Sequence, residues 1–310
     1  MICDWRGILT KDLAQCHSMF FGELYEVDEP LFRLNTVDAP GFDWGASLVD
    51  QGDDGEIRAF IAFKRAPKAW RTSSPDALHL STLGFVDAEA GFRVFTEAVN
   101  RIRDRGFDSI IYGMEERHFW PGVPISVSQI NTFLELQGFE FGGEYFDLER
   151  DLLGFTHATI VPQEAELRVL TSQDIPSLEA FFLRTFPGRW HRTVMEKVMI
   201  EGRAGTVFGL LIQGEVEGFA LLQDSRAKLP IGGAVWKQSL GENWCSLGPI
   251  GVSERVRGGG YGGALLAEAL RYLAEQGGRR CIIDWTTLDA FYGKYGFVPT
   301  RRYRSARLEA

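Results

Sequence analysis

The sequence lacks several features by which whole classes of protein are recognised. No apolar stretch reaches about 18 residues, so we expect no membrane span. The first residues show neither the basic nor the apolar region of a signal peptide. The four cysteines lie far apart without a Cys-x-x-Cys pair, which predicts reduced thiols and no metal site. Together these absences predict a cytoplasmic protein.

Two catalytic signatures and an excess of positive charge are also missing. No Walker-type Gly-Lys-Ser/Thr loop and no Gly-x-Ser-x-Gly elbow occurs. Residues 1–155 hold 14 Lys and Arg against 26 Asp and Glu, a net charge of −12, whereas residues 156–310 have a net charge of +3. An acidic chain without a basic stripe is a poor nucleic-acid binder. The acidic half is compatible with a cationic substrate or with a solvated acidic surface.

A glycine-rich segment near the C-terminus is the most informative part of the chain. Residues 257–262 fit the spacing Arg-x-x-Gly-x-Gly, follow an apolar strand pattern that ends at Val252, and open a helical pattern from Gly262 to Gln276. Unpaired N–H groups at such a helix start point outward, and the helix dipole adds positive charge there. Because glycine lets the backbone approach an anion closely, the segment predicts a pyrophosphate site.

A second motif, Phe-Tyr-Gly-Lys-Tyr-Gly-Phe, occupies residues 291–297, about thirty residues downstream. The two motifs, in this order and at this spacing, resemble those of the GNAT superfamily of acyl-CoA N-acyltransferases. The resemblance implies that the first motif binds the CoA diphosphate. It also implies that Tyr292 lies beside the CoA sulfur, where a phenol can protonate the departing thiolate.

The resemblance extends to the strand before the loop. In this family that strand bulges and splays, and its free amides pair with pantetheine and polarise the thioester carbonyl. Pro249 and Gly251 fit an irregular strand. We therefore predict Tyr292 as the catalytic residue, with no metal involved. The predicted cofactor-binding residues are Ile250, Gly251, Val252, Arg257, Gly258, Gly259, Gly260, Tyr261, Gly262 and Gly263.

The base that deprotonates the acceptor amine is left open by the sequence. Asp284, at a predicted strand end, and His191, between two predicted helices, are candidates, and a chain of waters is a third possibility. The sequence departs from the family at two positions. Trp285 and Leu288 stand where many members have Asn and Ala, which puts some usual contacts to the pantetheine arm in doubt.

A dinucleotide-binding alternative uses the same glycines. Gly258, Gly260 and Gly263 fit the Gly-x-Gly-x-x-Gly fingerprint, with Asp284 placed 21 residues beyond as a ribose-binding acid. However, residues 253–257 separate the strand from the glycines, and only 47 residues remain for further strand–helix units. This alternative also gives the second motif no role, so we favour the acyl-CoA interpretation.

The N-terminal half weakly repeats the C-terminal plan. Residues 97–106 match residues 268–277 at an offset of 171, and Ile110-Ile111 match Ile282-Ile283 at an offset of 172. In the first copy Asp87 and Glu89 stand for two loop glycines, where carboxylates would repel a pyrophosphate, and Leu134 stands for Tyr292. We therefore predict a degenerate first copy without a CoA site.

These observations predict an α/β fold of mixed α+β type with two tandem GNAT-like domains, residues 1–155 and 156–310. Each domain is expected to have a mixed, mostly antiparallel sheet flanked by helices. The predicted function is N-acyl transfer, most simply of acetyl from acetyl-CoA to the amine of a small molecule in a ternary complex. A peptide or protein acceptor, or a non-catalytic protein that binds or senses acyl-CoA, are the alternatives. The sequence does not indicate the oligomeric state or the acyl chain length.

Overall fold

The protein is described here by a computed structural model of residues 1–66 and 77–309. In the first half the elements are β1 (Ile2–Asp4), α1 (Thr10–Phe21), α2 (Glu29–Asn35), β2 (Leu48–Gln51), β3 (Ile57–Arg65), β4 (Ala77–Phe85), α3 (Ala88–Asp104), β5 (Ser109–Tyr112), β6 (Val123–Pro124), α4 (Ser128–Leu136) and β7 (Glu140–Asp151). In the second half they are β8 (Ala165–Val169), α5 (Ile175–Thr185), α6 (Arg189–Glu201), β9 (Val207–Ile212), β10 (Glu215–Asp224), α7 (Lys237–Leu240), β11 (Trp244–Val252), α8 (Tyr261–Glu275), β12 (Arg280–Thr286), α9 (Asp289–Gly293) and β13 (Val298–Glu309).

The chain divides into two compact units. The first comprises Met1–Phe146, Val235–Ser239 and a C-terminal segment that begins at Arg301; the second comprises Asp147–Ala234 and Leu240–Thr300. The first unit thus also includes a short internal segment and the C-terminal segment from the second half of the sequence. The domain boundary between residues 155 and 156 stays a prediction.

The sheet of the first unit is mostly antiparallel. Strands β1 to β4 are neighbours in chain order and pair antiparallel, whereas β4 and β5 pair parallel. Parallel neighbours need a crossover connection, and α3 supplies it. One face of α3 packs into the core through buried residues that include Val94, Ala98 and Ile102. The last part of β13 pairs antiparallel with β5 and closes this sheet.

The second unit repeats this plan. Strands β8, β9, β10 and β11 pair antiparallel in that order, and β11 pairs parallel with β12 through the crossover helix α8. Strand β7 lies on the other side of β12. Apolar residues of α8 are buried, including Leu265, Leu266 and Leu273. The predicted fold class, a mixed and mostly antiparallel sheet with flanking helices in each half, is confirmed.

Each unit has its own apolar core. In the first unit Trp120, Trp236 and Tyr25 are almost fully buried, and the Trp236 ring lies 4.9 Å from that of Trp120 and 5.1 Å from that of Tyr25. In the second unit, aromatic rings from α5 pack on Phe219 of β10. Among the described helices, none is both long and apolar enough to cross a membrane. Within residues 1–66 and 77–309, no three His, Cys, Asp or Glu side chains cluster as a metal site requires.

Candidate active site

Strand β11 parts from its parallel neighbour halfway along its length. The described pairing with β12 runs only from Trp244 and Arg280 to Ser246 and Ile282. On its other edge β11 stays paired with β10, but the register shifts between the pairs Leu222–Leu247 and Ala220–Ile250. Two residues of β11, Gly248 and Pro249, thus lie opposite one residue of β10 and form a bulge, which confirms the predicted irregular strand. Ile250, Gly251 and Val252 follow this bulge and are partly exposed.

The glycine-rich segment forms an exposed turn at the start of α8. Gly258 and Gly260 have φ values of 80° and 81°, in the left-handed region that favours glycine. Gly260 is the N-cap, and no side chain caps this helix in the described structure. The first helical hydrogen bond runs from the Ala264 N–H to the Gly260 carbonyl. The amides of Tyr261, Gly262 and Gly263 precede it, as an anion site requires.

The two side chains of the loop have protein partners. Arg257 is exposed and lies 3.4 Å from the carboxylate of Glu254. The Tyr261 hydroxyl donates a hydrogen bond to Glu164, which raises the pKa of the tyrosine. The Tyr261 ring lies beneath Gly259, where an added Cβ would stand 2.7 Å from a ring carbon. Gly259 is therefore a close-approach position in addition to the two left-handed glycines.

Asp284, near the end of β12, lies beside the bulge of β11 in a cradle of glycines. A Cβ added to Gly232 would lie 2.8 Å from one Asp284 carboxylate oxygen, and one added to Gly248 would lie 3.6 Å from the other. The Gly233 backbone N–H lies near the carboxylate and acts to lower its pKa. The side chain keeps some exposed surface, yet protein atoms surround it closely.

Asp284 and Tyr292 influence each other electrostatically. Burial raises the pKa of Asp284, against the lowering effects of the Gly233 hydrogen bond and the positive charge of Arg189. Burial, with a further contribution from the negative charge of Asp284, raises the pKa of Tyr292 to about 12. The phenol therefore stays protonated at neutral pH and remains a proton donor.

A parallel pair of strands that opens at a bulge, followed by an uncapped glycine turn at a helix start, is the arrangement implied by the sequence resemblance. A profile of the acetyltransferase (GNAT) family matches residues 175–297. These residues form a GNAT domain. Members of this family use acyl-CoA as a cosubstrate, so the match over these residues supports acetyltransferase activity in general terms.

Solved structures extend the likeness over nearly the whole chain. A GCN5-related glucosamine N-acetyltransferase region of a fungal multidomain GH3 beta-N-acetylglucosaminidase is 20% identical with a TM-score of 0.83; the match covers 99% of this chain but only 38% of that one. The tandem GNAT protein of the clavulanic acid biosynthesis pathway is 13% identical with a TM-score of 0.69, covering 97% of this chain and 94% of that one. A GCN5-related N-acetyltransferase from Sphaerobacter thermophilus is 16% identical with a TM-score of 0.69, covering 97% and 92%. These likenesses show a tandem GNAT fold. A search of curated proteins by sequence gives no match.

The two GNAT motifs touch each other. A Cβ added to Gly263 of α8 would lie 2.7 Å from the hydroxyl of Tyr295, which belongs to the second motif. The Tyr295 ring is buried and stacks on His157 at 4.4 Å, and its carbonyl accepts a hydrogen bond from Arg150. The start of α8 is thus positioned by the segment that carries Tyr292.

Aromatic side chains cover the open half of β11. A Cβ on Gly251 would lie 2.9 Å from the ring of Phe186 and 3.1 Å from that of Trp190, at the junction of α5 and α6. The guanidinium of Arg189 lies 4.2 Å from the centre of the Trp285 ring. His191, the second candidate base, stacks on Phe182 at 5.7 Å. Of the two candidates, Asp284 lies beside the bulge, and its charge contributes to the raised pKa of Tyr292.

The first unit fills the corresponding positions with its own side chains. The Asp87 carboxylate caps α3 and accepts a hydrogen bond from the Ala90 N–H, so this helix start already holds an anion. The parallel pairing of β4 and β5 continues to Leu80 and Tyr112, two residues further than the equivalent pairing in the GNAT domain. The absence of a CoA site in the first copy stays a prediction, and these contacts support it.

Sequence reasoning missed the glycine cradle around Asp284. Gly232 and Gly233 form a Gly-Gly pair shortly after Pro230, and in the sequence this pair indicates only a loop. The only signal was that dipeptide, since the contact joins residues about fifty positions apart. The contact between Gly248 and Asp284 was missed as well, because the position of Gly248 depends on the register shift of β11.

Proposed function

We propose that this protein transfers the acetyl group of acetyl-CoA to the amine of a small molecule, with Tyr292 as the proton donor. The observation that carries the proposal is the coincidence, within one unit, of the bulged strand, the uncapped glycine turn and the buried Tyr292 of the second motif.

Each part has a distinct task in the proposed reaction. The amides of residues 258–263 bind the CoA diphosphate at the positive end of the α8 dipole. Backbone N–H groups of residues 250–252 donate to the thioester carbonyl as negative charge develops on its oxygen. The amine nitrogen attacks the carbonyl carbon, the carbon–sulfur bond breaks, and Tyr292 donates its proton to the thiolate.

The acceptor is proposed to be a small amine rather than a peptide. Aromatic rings of Phe186 and Trp190 pack against Gly251, so the covered strand leaves limited room beside the bulge. One neighbour of similar fold is described as a glucosamine N-acetyltransferase region. Glucosamine is therefore the first acceptor to test, with amino acids, polyamines and short peptides as comparators.

The test measures free CoA thiol with acetyl-CoA and each amine in turn, and identifies the product by its mass. We expect amine-dependent thiol release together with an amine that is heavier by one acetyl group. Gly260→Glu, which places a carboxylate at the pyrophosphate position, should abolish it. Binding of acetyl-CoA without thiol release from any amine would instead favour an acyl-CoA sensor. If only peptides were acetylated, the acceptor would be a peptide and not a small amine.

A further inference from the structure

The carboxylate of Asp284 occupies a space that neighbouring glycines leave open because they have no Cβ. Three glycines from two separate segments surround it: Gly232, Gly233 and Gly248. A Cβ added to either of the first two would lie 2.8 to 3.3 Å from side-chain atoms of Asp284. A Cβ on the third would lie in ordinary contact at 3.6 Å. A carboxylate in such a place loses hydration, and burial of charge is costly unless it is compensated.

The internal repeat shows that the fold itself does not need a carboxylate there. Ile110-Ile111 and Ile282-Ile283 are equivalent, so Tyr112 occupies in the first unit the position of Asp284 in the second. In both units the next residue has a positive φ, 64° at Gly113 and 45° at Trp285. The first unit keeps the same strand end with a neutral phenol, so the acid in the second unit calls for a functional explanation.

The groups that face Asp284 are few. Arg189 at the start of α6 contributes positive charge, Tyr292 on α9 contributes a phenol, and the Gly233 backbone N–H acts to lower the pKa of the carboxyl group. The segments that carry Gly232 and Gly248 present backbone only. The carboxylate therefore has protein on several sides, and the bulge of β11, where the thioester is proposed to lie, is next to it.

We propose that Asp284 is the base that removes the proton from the acceptor nitrogen, and that it acts together with Tyr292 as a coupled pair. This inference rests on the proposed function, because it assumes that an amine attacks an acyl-CoA beside the bulge. His191, the other candidate, stacks on Phe182, and its charge is not among the influences on the pKa of Tyr292.

The protons that Asp284 and Tyr292 take up and release balance over one turnover. As the nitrogen–carbon bond forms and the carbon–sulfur bond breaks, one proton passes from nitrogen to Asp284 and one passes from Tyr292 to the thiolate sulfur. The phenolate then recovers a proton from Asp284, so both residues return to their starting state. The charge of Asp284 contributes to the high pKa of Tyr292. Neutralising Asp284 during the reaction therefore makes the phenol a stronger acid at the moment when the thiolate leaves.

The test compares wild type with Asp284→Asn, which keeps the shape and the acceptor for the Gly233 amide. We expect kcat/KM for the amine to fall by about 10²- to 10⁴-fold, the usual range for a lost general base. The Kd for acetyl-CoA should stay unchanged. The Tm at neutral pH should be equal to or above that of wild type, because the variant buries no charge. Asp289→Asn removes an exposed carboxylate on α9 and should leave activity at the wild-type level.

The pH profile separates a base from a merely structural residue. Asp284 must be ionised to act, so wild-type kcat/KM should fall as the pH drops through its raised pKa, and Asp284→Asn should lack that limb. The deficit of the variant should narrow as the pH rises and solvent deprotonates the amine. A pH-independent deficit, or a variant with half or more of wild-type activity, would overturn the assignment. Wild type that releases no thiol with any amine would instead refute the proposed function.

Discussion

The hydroxyl of Tyr295 lies 2.7 Å from the point where a Cβ on Gly263 would stand. Gly263 belongs to the first turn of α8, and Tyr295 belongs to the motif that contains Tyr292. The glycine turn and the second motif are therefore in direct contact.

Gly263→Ala should weaken acetyl-CoA binding and lower stability by about 1–3 kcal/mol, the usual cost of forcing an extra methyl into a packed site. Tyr295→Phe in the same chain should restore most of the loss, since the next ring atom is 4.0 Å away and in ordinary contact. Calorimetric titration and denaturant unfolding of the two single variants and the double variant provide the measurement. Additive losses would show that the hydroxyl is not the obstacle.

One acetyl-CoA should bind per chain. Gly260 has a left-handed φ, and α8 has no side-chain cap, whereas Asp87 caps the equivalent helix of the first unit. Gly260→Glu should abolish the increase in Tm that saturating acetyl-CoA produces by mass action. Asp87→Ala is the matched change in the first unit. It should cost about 0.5–2 kcal/mol of stability as a lost N-cap and leave the stoichiometry at one. Two equivalent sites in wild type would contradict this prediction.

Tyr292→Phe should lower kcat by about 10²-fold, the low end of the range for general acid catalysis, with the Kd for acetyl-CoA little changed. The hydroxyl group is needed chiefly when the thiolate leaves. The ring of Tyr292 is only 6% exposed, and the Phe variant keeps this buried ring. Tyr272→Phe removes a phenol from α8, away from the second motif, and serves as control. Unchanged turnover in Tyr292→Phe would leave Tyr292 a packing residue and assign the proton to water.

The glycine turn and α8 were predictable from the sequence because each depends on local chemistry. The left-handed residues Gly258 and Gly260 and the helical pattern that follows them act within a few positions. The predicted irregularity of β11 was visible for the same reason, since Pro249 and Gly251 disturb a strand by themselves.

Other features depend on contacts between distant residues and left little trace in the sequence. The sequence showed a carboxylate at Asp87, but it did not show that this carboxylate caps α3 by accepting a hydrogen bond from the Ala90 N–H. The burial of Asp284 requires glycines about fifty and about thirty-five residues upstream. No local sequence pattern indicates contacts between residues so far apart. Trp236 lies in the second half of the sequence but packs in the core of the first unit.

The first unit should show an acid-sensitive stability that depends on Glu115. This buried carboxylate lies 2.9 Å from the buried Lys64 ammonium and accepts a hydrogen bond from Ser81. Burial acts to raise its pKa, but the charges of Lys64 and His79 with the Ser81 hydrogen bond outweigh it, and the pKa falls to about 2.

A folded pKa below the unfolded value means that this contribution is present above the unfolded pKa, about 4.3, and is lost as the pH falls towards 2. Glu115→Gln should cost about 3–5 kcal/mol near neutral pH, because it leaves the Lys64 charge buried without its counter-ion. The difference from wild type should shrink below about pH 4. Glu89→Gln changes an exposed carboxylate and should shift stability little. The free energy of unfolding, measured against pH, tests this, and a constant difference would contradict it.

Trp236 should stabilise the first unit without contributing to acetyl-CoA binding, even though the sequence placed it in residues 156–310. Its ring is 1% exposed and packs on Trp120 and Tyr25, all within the first unit, whereas the glycine turn belongs to the second. Trp236→Ala should therefore lower the free energy of unfolding by about 3–5 kcal/mol, as expected for removing a buried aromatic side chain. Trp44→Ala, a change at a half-exposed ring of the same unit, should cost much less. Denaturant unfolding measures both losses, and calorimetry at a temperature where each variant is folded measures the Kd for acetyl-CoA. A tryptophan variant of unchanged stability that no longer binds acetyl-CoA would instead assign residue 236 to the cofactor site.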